Sequence, residues 1–90
     1  MELLNKDDFT VIVRFLMKNQ FRTVEYDDNF AKNLYEDYLK ARQNNEVTLS
    51  FIQLCKVLQA LTEQKMKCEI NTIEDLENTL LSYVDYINGL

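Results

Sequence analysis

The near absence of turn-forming residues is the feature that most constrains how this chain can fold. Proline does not occur in its 90 residues, and glycine occurs once, at position 89. An all-β domain needs turn residues about every 8–12 positions, which this chain does not supply, so we predict an all-α fold. Its length fits one domain, and a composition that is 47% hydrophobic and 28% charged is typical of globular proteins. We therefore expect a single helical domain over residues 1–90, a compact bundle of about four or more helices.

The stretch FTVIVRFLM, at positions 9–17, predicts the first helix, which we place at about residues 7–20. Apolar residues recur in it at i, i+3, i+4 and i+7, the spacing of one helical face. The residues of this face are Phe9, Ile12, Val13 and Leu16. Asn5, Asp7 and Asp8 lie at its start and supply capping groups and favourable negative charge near the positive end of the helix dipole. Because positions 10–13 are all β-branched, a strand paired with EVTLSF is the alternative.

Three further helices are predicted by the same periodicity, at about residues 28–42, 49–64 and 72–88, with KMKCEIN as a loop before the last. We expect the third helix to lie at the centre of the fold, because a second row widens its stripe. In chain order the stripe residues are Phe30, Leu34 and Tyr38, then Phe51, Cys55, Leu58 and Leu61 with Leu54 and Val57 beside them, and finally Ile73, Leu76, Leu80, either Tyr83 or Val84, and Ile87. We expect these faces to meet in one core.

Polar residues near the predicted helix ends indicate how the helices begin and stop. The candidate N-terminal caps are Ser50 with Gln53, Thr48 one step earlier, and Asn71 with Glu74. Gly89 follows the last helix, where a left-handed C-terminal cap is expected. The tyrosines are expected mainly at the edge of the core, with their hydroxyl groups in water.

The chain offers little chemistry for catalysis or metal binding. It has no histidine, the commonest general base and metal ligand, and its two cysteines are too few for a structural zinc site. Cys55 is predicted in the core and Cys68 as an exposed loop thiol. The carboxylates at positions 27–28 and at 74, 75 and 77 lack the spacing of a calcium loop, so we expect them to cap helices and face solvent. We predict no enzyme activity, no cofactor and no metal.

The charge balance narrows the class of partner. A formal net charge of −5 repels phosphate backbones and favours partners with basic surfaces. No apolar run approaches the roughly 18 residues of a membrane span. Two cysteines without a signal peptide suggest reduced thiols. We expect a cytoplasmic protein that binds neither nucleic acid nor membrane directly.

The first predicted helix carries more apolar surface than one core-facing stripe requires. Val11 and Phe15 form a second apolar row, which we expect to be partly exposed. A patch of this kind usually marks an interaction site, so we expect the free protein to form a homodimer through this helix. The alternative is that the other helices cover the row from both sides.

Several segments are similar to one family of phage proteins. FTVIVRFLMK looks like a first-helix segment of isoleucine, valine and leucine ending in lysine, and VEYDDNF fits a V-E-x-x-x-N-F pattern. KVLQALTEQ is similar to K-I-V-S-E-L-T-Q, and Tyr83 matches a tyrosine near the end of the family's sequence. The chain thus resembles the AsiA family of anti-sigma factors of T-even-type bacteriophages, over most of its length. It departs from the family in QNNEV, where the histidine and glycines of that loop are missing.

This resemblance implies a function and a partner. Members of the family bind the C-terminal region of the host's primary sigma factor, which reads the −35 promoter element, and so inhibit or redirect RNA polymerase together with a phage co-activator. They do so with their N-terminal helices and self-associate when free. The partner-binding residues expected here are Asp8, Phe9, Ile12, Val13, Phe15, Leu16, Lys18, Phe30 and Leu34.

Two other functions remain open from the sequence. A small acidic immunity protein or antitoxin would neutralise an enzyme through acidic residues at 27–37 or 69–85. A helix-turn-helix DNA-binding protein would use the second and third helices, although the third contains only Lys56 as a cation.

Overall fold

The turn-poor sequence folds into helices and the connections between them. The computed structural model describes residues 4–19, 28–63 and 70–90, and four helices lie in these ranges. They are α1 (Lys6–Asn19), α2 (Asp28–Asn44), α3 (Leu49–Thr62) and α4 (Ile73–Asn88). No strand occurs in these ranges, so the all-α prediction is confirmed and the strand alternative for positions 10–13 is wrong.

The predicted helix positions agree closely with the observed ones. The largest difference within the described residues is at the end of α2, which continues past Arg42 to Asn44. Gln20 and Gln64, the predicted last residues of the first and third helices, lie outside the described residues. The same is true of Cys68, whose predicted exposure therefore stays a prediction.

Reciprocal hydrogen bonds begin two of the helices. At α1 the Asp8 N–H donates to Asn5 Oδ1 and the Asn5 N–H donates to Asp8 Oδ2, both at 2.9 Å, as the sequence predicted. At α4 the pair is Thr72 and Asp75, which corrects the predicted pair of Asn71 and Glu74 by one position. Donation from the Asn71 and Thr72 backbone N–H groups lowers the pKa of Asp75.

The other two predictions about helix ends are wrong. Thr48 precedes α3 but makes no capping hydrogen bond through its side chain, so this helix lacks the predicted capping arrangement. Gly89 has φ −82°, a right-handed conformation, instead of the expected left-handed cap. The left-handed positions that follow helices are Asn45 (φ 53°) and Glu63 (φ 57°). Glycine is favoured at such sites but is not required there.

The apolar stretch of α1 is covered by the protein's own helices. α1 packs against α2 on one side and α4 on another, while α3 packs on α4, so α1 and not α3 lies at the centre of the fold. The Phe9 ring lies at the centre, with its centroid 5.7 Å from that of Tyr38 and 6.4 Å from that of Phe51. The buried side chains of α1 are Phe9, Ile12, Val13, Phe15 and Leu16. Burial of each such side chain contributes about 1.5–3 kcal/mol, so α1 is a principal source of stability.

A buried carboxylate joins α2 to α4. Glu77 is 3% exposed and lies beside Tyr38, which is fully buried and donates its hydroxyl hydrogen to Glu77 Oε2. The guanidinium of Arg42 donates to the same oxygen at 2.6 Å. Burial, followed by the adjoining carboxylate, raises the pKa of Tyr38 to about 12. The expectations that Glu77 faces solvent and that this tyrosine has its hydroxyl in water are therefore wrong.

We expect Glu77→Ala to lower the free energy of unfolding by about 2–3 kcal/mol, because the Tyr38 hydroxyl would remain buried without its acceptor. Glu36→Ala, at an exposed position of α2, is the control and should change stability by no more than about 0.5 kcal/mol. Urea unfolding followed by circular dichroism measures both. If the two variants were equally stable, the buried Glu77 carboxylate would make no net contribution to the free energy of unfolding.

The core prediction for Cys55 is confirmed, since its side chain has 0% exposure. Burial raises the pKa of this thiol from 9.0 to about 12. The unfolded chain therefore loses the proton near pH 9 while the folded chain keeps it. The contribution of the Cys55 thiol to the free energy of unfolding is therefore fully present below pH 9, and it is lost as the pH rises toward 12.

The free energy of unfolding should fall by about 1 kcal/mol between pH 9 and pH 10 through this thiol. Cys55→Ala should remove that decrease, even though it lowers stability at every pH by leaving a cavity. Tyr38 adds its own decrease only above pH 10, its ordinary pKa. Urea titrations at pH 8, 9 and 10 compare the two proteins. If the free energy of unfolding fell equally with pH in the wild-type and Cys55→Ala proteins, the decrease could not come from the Cys55 thiol.

Candidate functional site

A groove between α2 and α3 is the candidate functional site. The short segment at positions 45–48 joins the two helices, yet α2 packs mainly on α1 and α3 mainly on α4. The space between them has two parts, of about 380 Å³ and about 240 Å³. Leu34, Asp37 and Ser50 line both parts, so the groove is continuous.

One face of α2 forms the first wall of the groove. Its lining residues follow the spacing of a helical face and extend over nearly the whole helix. They are Phe30, Leu34, Asp37, Ala41 and Asn44, with Lys40 beside them. At a rise of about 1.5 Å per residue, this wall is about 21 Å long. That length suits an extended occupant such as a helix of about four turns.

The second wall comes from α3, which runs antiparallel to α2. Thr48 and Phe51, near the start of α3, line the same part as Asn44 at the end of α2. Val57, further along α3, lines the same part as Phe30 near the start of α2. The remaining lining residues of this wall are Ser50, Gln53 and Leu54.

Both parts of the groove combine apolar and polar walls. In the larger part, α1 contributes Leu16 beside the half-buried side chains of α2 and α3, and polar groups come from Asp37, Ser50 and Gln53. In the smaller part, the buried Phe51 ring lies beneath three exposed charged residues: Asp37, Lys40 and Glu46. Within residues 4–19, 28–63 and 70–90 none of these three charges forms an ion pair. Because Asp37 lines both parts, each part of the groove has a net negative charge.

The structure brings three of the nine predicted partner-binding residues together in this groove: Leu16, Phe30 and Leu34. Asp8 instead caps α1, and Lys18 is exposed outside the groove lining. The other four lie in the core and, like Leu16, which is 3% exposed, offer little or no surface in this conformation. They are Phe9, Ile12, Val13 and Phe15.

The sequence contains a signal for the α3 wall in the second apolar row of that helix. Leu54 and Val57 widen the stripe and pack against the core, as predicted. They are only partly buried, and they also line the groove. Asp37, which lines both parts, was considered only as part of an acidic region. No pattern within α2 alone indicates that α3 would stand away from this face.

The two other functions would use different surfaces. Of the two acidic regions, the first carries the exposed carboxylates Glu36 and Asp37. Among the carboxylates predicted for an acidic face on α4, Asp75 forms the capping box and Glu77 is buried. Glu74 and Asp85 remain exposed on that helix. Lys56 is the single cation of α3 and is exposed, which is little for reading base edges.

No group of three or more cysteines and carboxylates in the described ranges is placed to hold a metal ion. No helix in those ranges combines the length and hydropathy needed to cross a bilayer. No protein-family model, curated protein or solved structure matches this chain.

The predicted exposure of the second apolar row of α1 is corrected at Phe15. This side chain is 8% exposed and belongs to the core, while Val11 is half-buried against it. The other helices thus largely cover the row, as the alternative interpretation held. Met17, two residues further, is 38% exposed and keeps apolar surface in solvent.

Phe15→Glu should lower the free energy of unfolding by about 3–5 kcal/mol or more, because it removes a buried ring and buries a carboxylate. Met17→Glu introduces the same charge at an exposed position and should remain folded. Thermal melts followed by circular dichroism would distinguish the two. A Phe15→Glu protein as stable as the Met17→Glu control would restore the view that this row faces a partner.

Proposed function

We propose that this protein is a phage-type anti-sigma factor that binds a helix from the C-terminal region of a bacterial primary sigma factor. The observation that carries the proposal is the α2–α3 groove. It collects Leu16, Phe30 and Leu34 from the two helices through which the resemblance implies contact, and adds Leu54 and Val57 from α3. The occupant proposed is a sigma helix lying along the groove.

The dimensions and composition of the groove support a helical occupant. Amphipathic helices bind other proteins by placing their apolar face in a hydrophobic groove. The half-buried side chains of Phe30, Leu34 and Leu54 supply such a surface. A partner helix of about 14 residues would match the α2 wall of about 21 Å.

Electrostatics supports a basic partner. The chain has a net charge of −5, and a sigma region that reads DNA is basic. Attraction between opposite charges speeds association and orients the encounter. A sigma helix bound in the groove could not contact −35 DNA. Inhibition by this route requires no catalysis and no cofactor. The proposed compartment is the cytoplasm of the bacterial host, where sigma and RNA polymerase function.

Self-association of the free protein remains part of the proposal, but its surface changes. Because Phe15 is buried, it cannot provide the exposed row on which the expected dimer through α1 was based. Apolar groove walls such as Leu54 would be covered by a second copy until sigma displaces it. Redirection of the polymerase with a phage co-activator stays a prediction from the resemblance.

Leu54→Ala should weaken binding of sigma C-terminal domain about tenfold, the size expected when one partly buried leucine loses its partner. Leu81→Ala is the matched control, since Leu81 is also half-buried but lies on α4 outside the groove. Fluorescence anisotropy with labelled sigma domain measures binding, and circular dichroism verifies that both variants fold.

Transcription assays complete this test. The wild-type protein should inhibit promoters that depend on the −35 element and spare extended −10 promoters. No binding at tens of micromolar, or equal inhibition of both promoter types, would reject the anti-sigma function. Equal losses in the Leu54→Ala and Leu81→Ala variants would reject the groove as the contact surface.

A further inference from the structure

We infer that Asp37 is the residue through which the α2–α3 groove selects its partner, by pairing with a lysine or arginine on the apolar face of the bound helix. The inference deepens the proposed function and rests on it for the choice of a helical occupant. Asp37 is not among the nine partner-binding residues expected from the resemblance.

Asp37 occupies the middle of the groove. It lies on the α2 wall between Phe30 and Asn44, seven positions from each, and it lines both parts of the space. Its side chain is exposed, so an incoming group can reach the carboxylate without any rearrangement of the helices. A helix lying along the groove therefore passes Asp37 whichever way it runs.

The carboxylate of Asp37 gives the groove its net charge. Among the described residues it is the single charged group lining the larger part. In the smaller part, Lys40 and Glu46 carry opposite charges that sum to zero, so Asp37 again supplies the net negative charge. The ion pair found in the described ranges joins Arg42 to Glu77, so the charge of Asp37 is left for a partner.

The surroundings of Asp37 favour a cation with an aliphatic stem. Leu34 lies three positions before it and Ala41 four positions after it, so both share its helical face and line the groove beside it. The methylene groups of a lysine or arginine would pack on these two neighbours while the charged group reaches the carboxylate. A charged donor also makes a stronger hydrogen bond to a carboxylate than a neutral donor does.

The same carboxylate disfavours other helices. An apolar side chain placed over Asp37 would remove water from the carboxylate without replacing its hydrogen bonds. A glutamate or aspartate at that place would bring two like charges together. Selection of a cation therefore comes from rejection of the alternatives as well as from attraction.

A charge-exchange experiment with two synthetic peptides tests this contact. Both peptides are helices of alanine and glutamine with leucines along one face, and the middle residue of that face is lysine in one and glutamate in the other. Their helix contents are matched by circular dichroism, and binding to the full chain is followed by NMR chemical shifts. The wild-type chain should bind the lysine peptide about fivefold more tightly, the size expected of one exposed ion pair.

Asp37→Lys should reverse this preference, because the new ammonium group would repel the lysine peptide and attract the glutamate peptide. Asp37→Asn, which keeps the shape of the side chain, should remove most of it. Glu36→Lys is the matched control for the reversal, since Glu36 is exposed on α2 outside the groove lining and its substitution changes the net charge equally. This control should still prefer the lysine peptide. Thermal melts verify that the three variants fold.

The inference would be overturned if neither peptide bound at about 1 mM, or if the wild-type chain bound both equally. Equal changes of preference in the Asp37→Lys and Glu36→Lys chains would also overturn it, because net charge alone would then explain the selection. The proposed function fails separately: sigma domain would not bind although the peptides are distinguished. Sigma domain that binds, and loses equal affinity in these two variants, would reject Asp37 as the contact and leave the proposed function standing.

Discussion

The whole arrangement depends on covering α1. Its apolar residues occupy more than one face, so a single neighbouring helix would leave part of it in water. α2 and α4 cover it from two sides, and Phe51 of α3 reaches the Phe9 ring at the centre. Because α2 is held mainly by α1 and α3 mainly by α4, the two helices that follow each other in sequence do not close on each other. The α2–α3 groove is thus a consequence of how α1 is buried.

The polar contact between α2 and α4 complements this apolar packing. Glu77 is buried but accepts hydrogen bonds from Tyr38 and Arg42, so its carboxylate is compensated. Such a contact is specific in geometry, because a shift of either helix would leave a buried polar group unpaired. It fixes α2 relative to α4, and with it the position of the first wall of the groove. The groove is therefore built on packed helices whose positions are set by contacts on their opposite sides.

Particular residues show how far the sequence predicted the site. Leu16, Phe30 and Leu34 were assigned to partner binding and do line the groove. Phe15 was expected to be partly exposed and is buried, because helical periodicity places residues around an axis without saying how many neighbours surround that axis. Leu54 and Val57 pack against the core as predicted, but the sequence did not indicate that they would also line a groove. A second apolar row gives the same pattern in the sequence in both situations: when another helix of the chain covers it, and when it lines an open groove.

The sequence by itself determined the helical class, the approximate bounds of the four helices and the core positions of residues such as Phe9, Cys55 and Leu80. These follow from local turn chemistry and from a periodicity that each helix carries within itself. Only the tertiary structure decided that Phe15 is covered while Leu54 lines a groove, and that Glu77 is buried against Tyr38 rather than exposed. Those outcomes depend on which helices pack together, and contacts between residues such as 38 and 77 are set by the closure of the whole core.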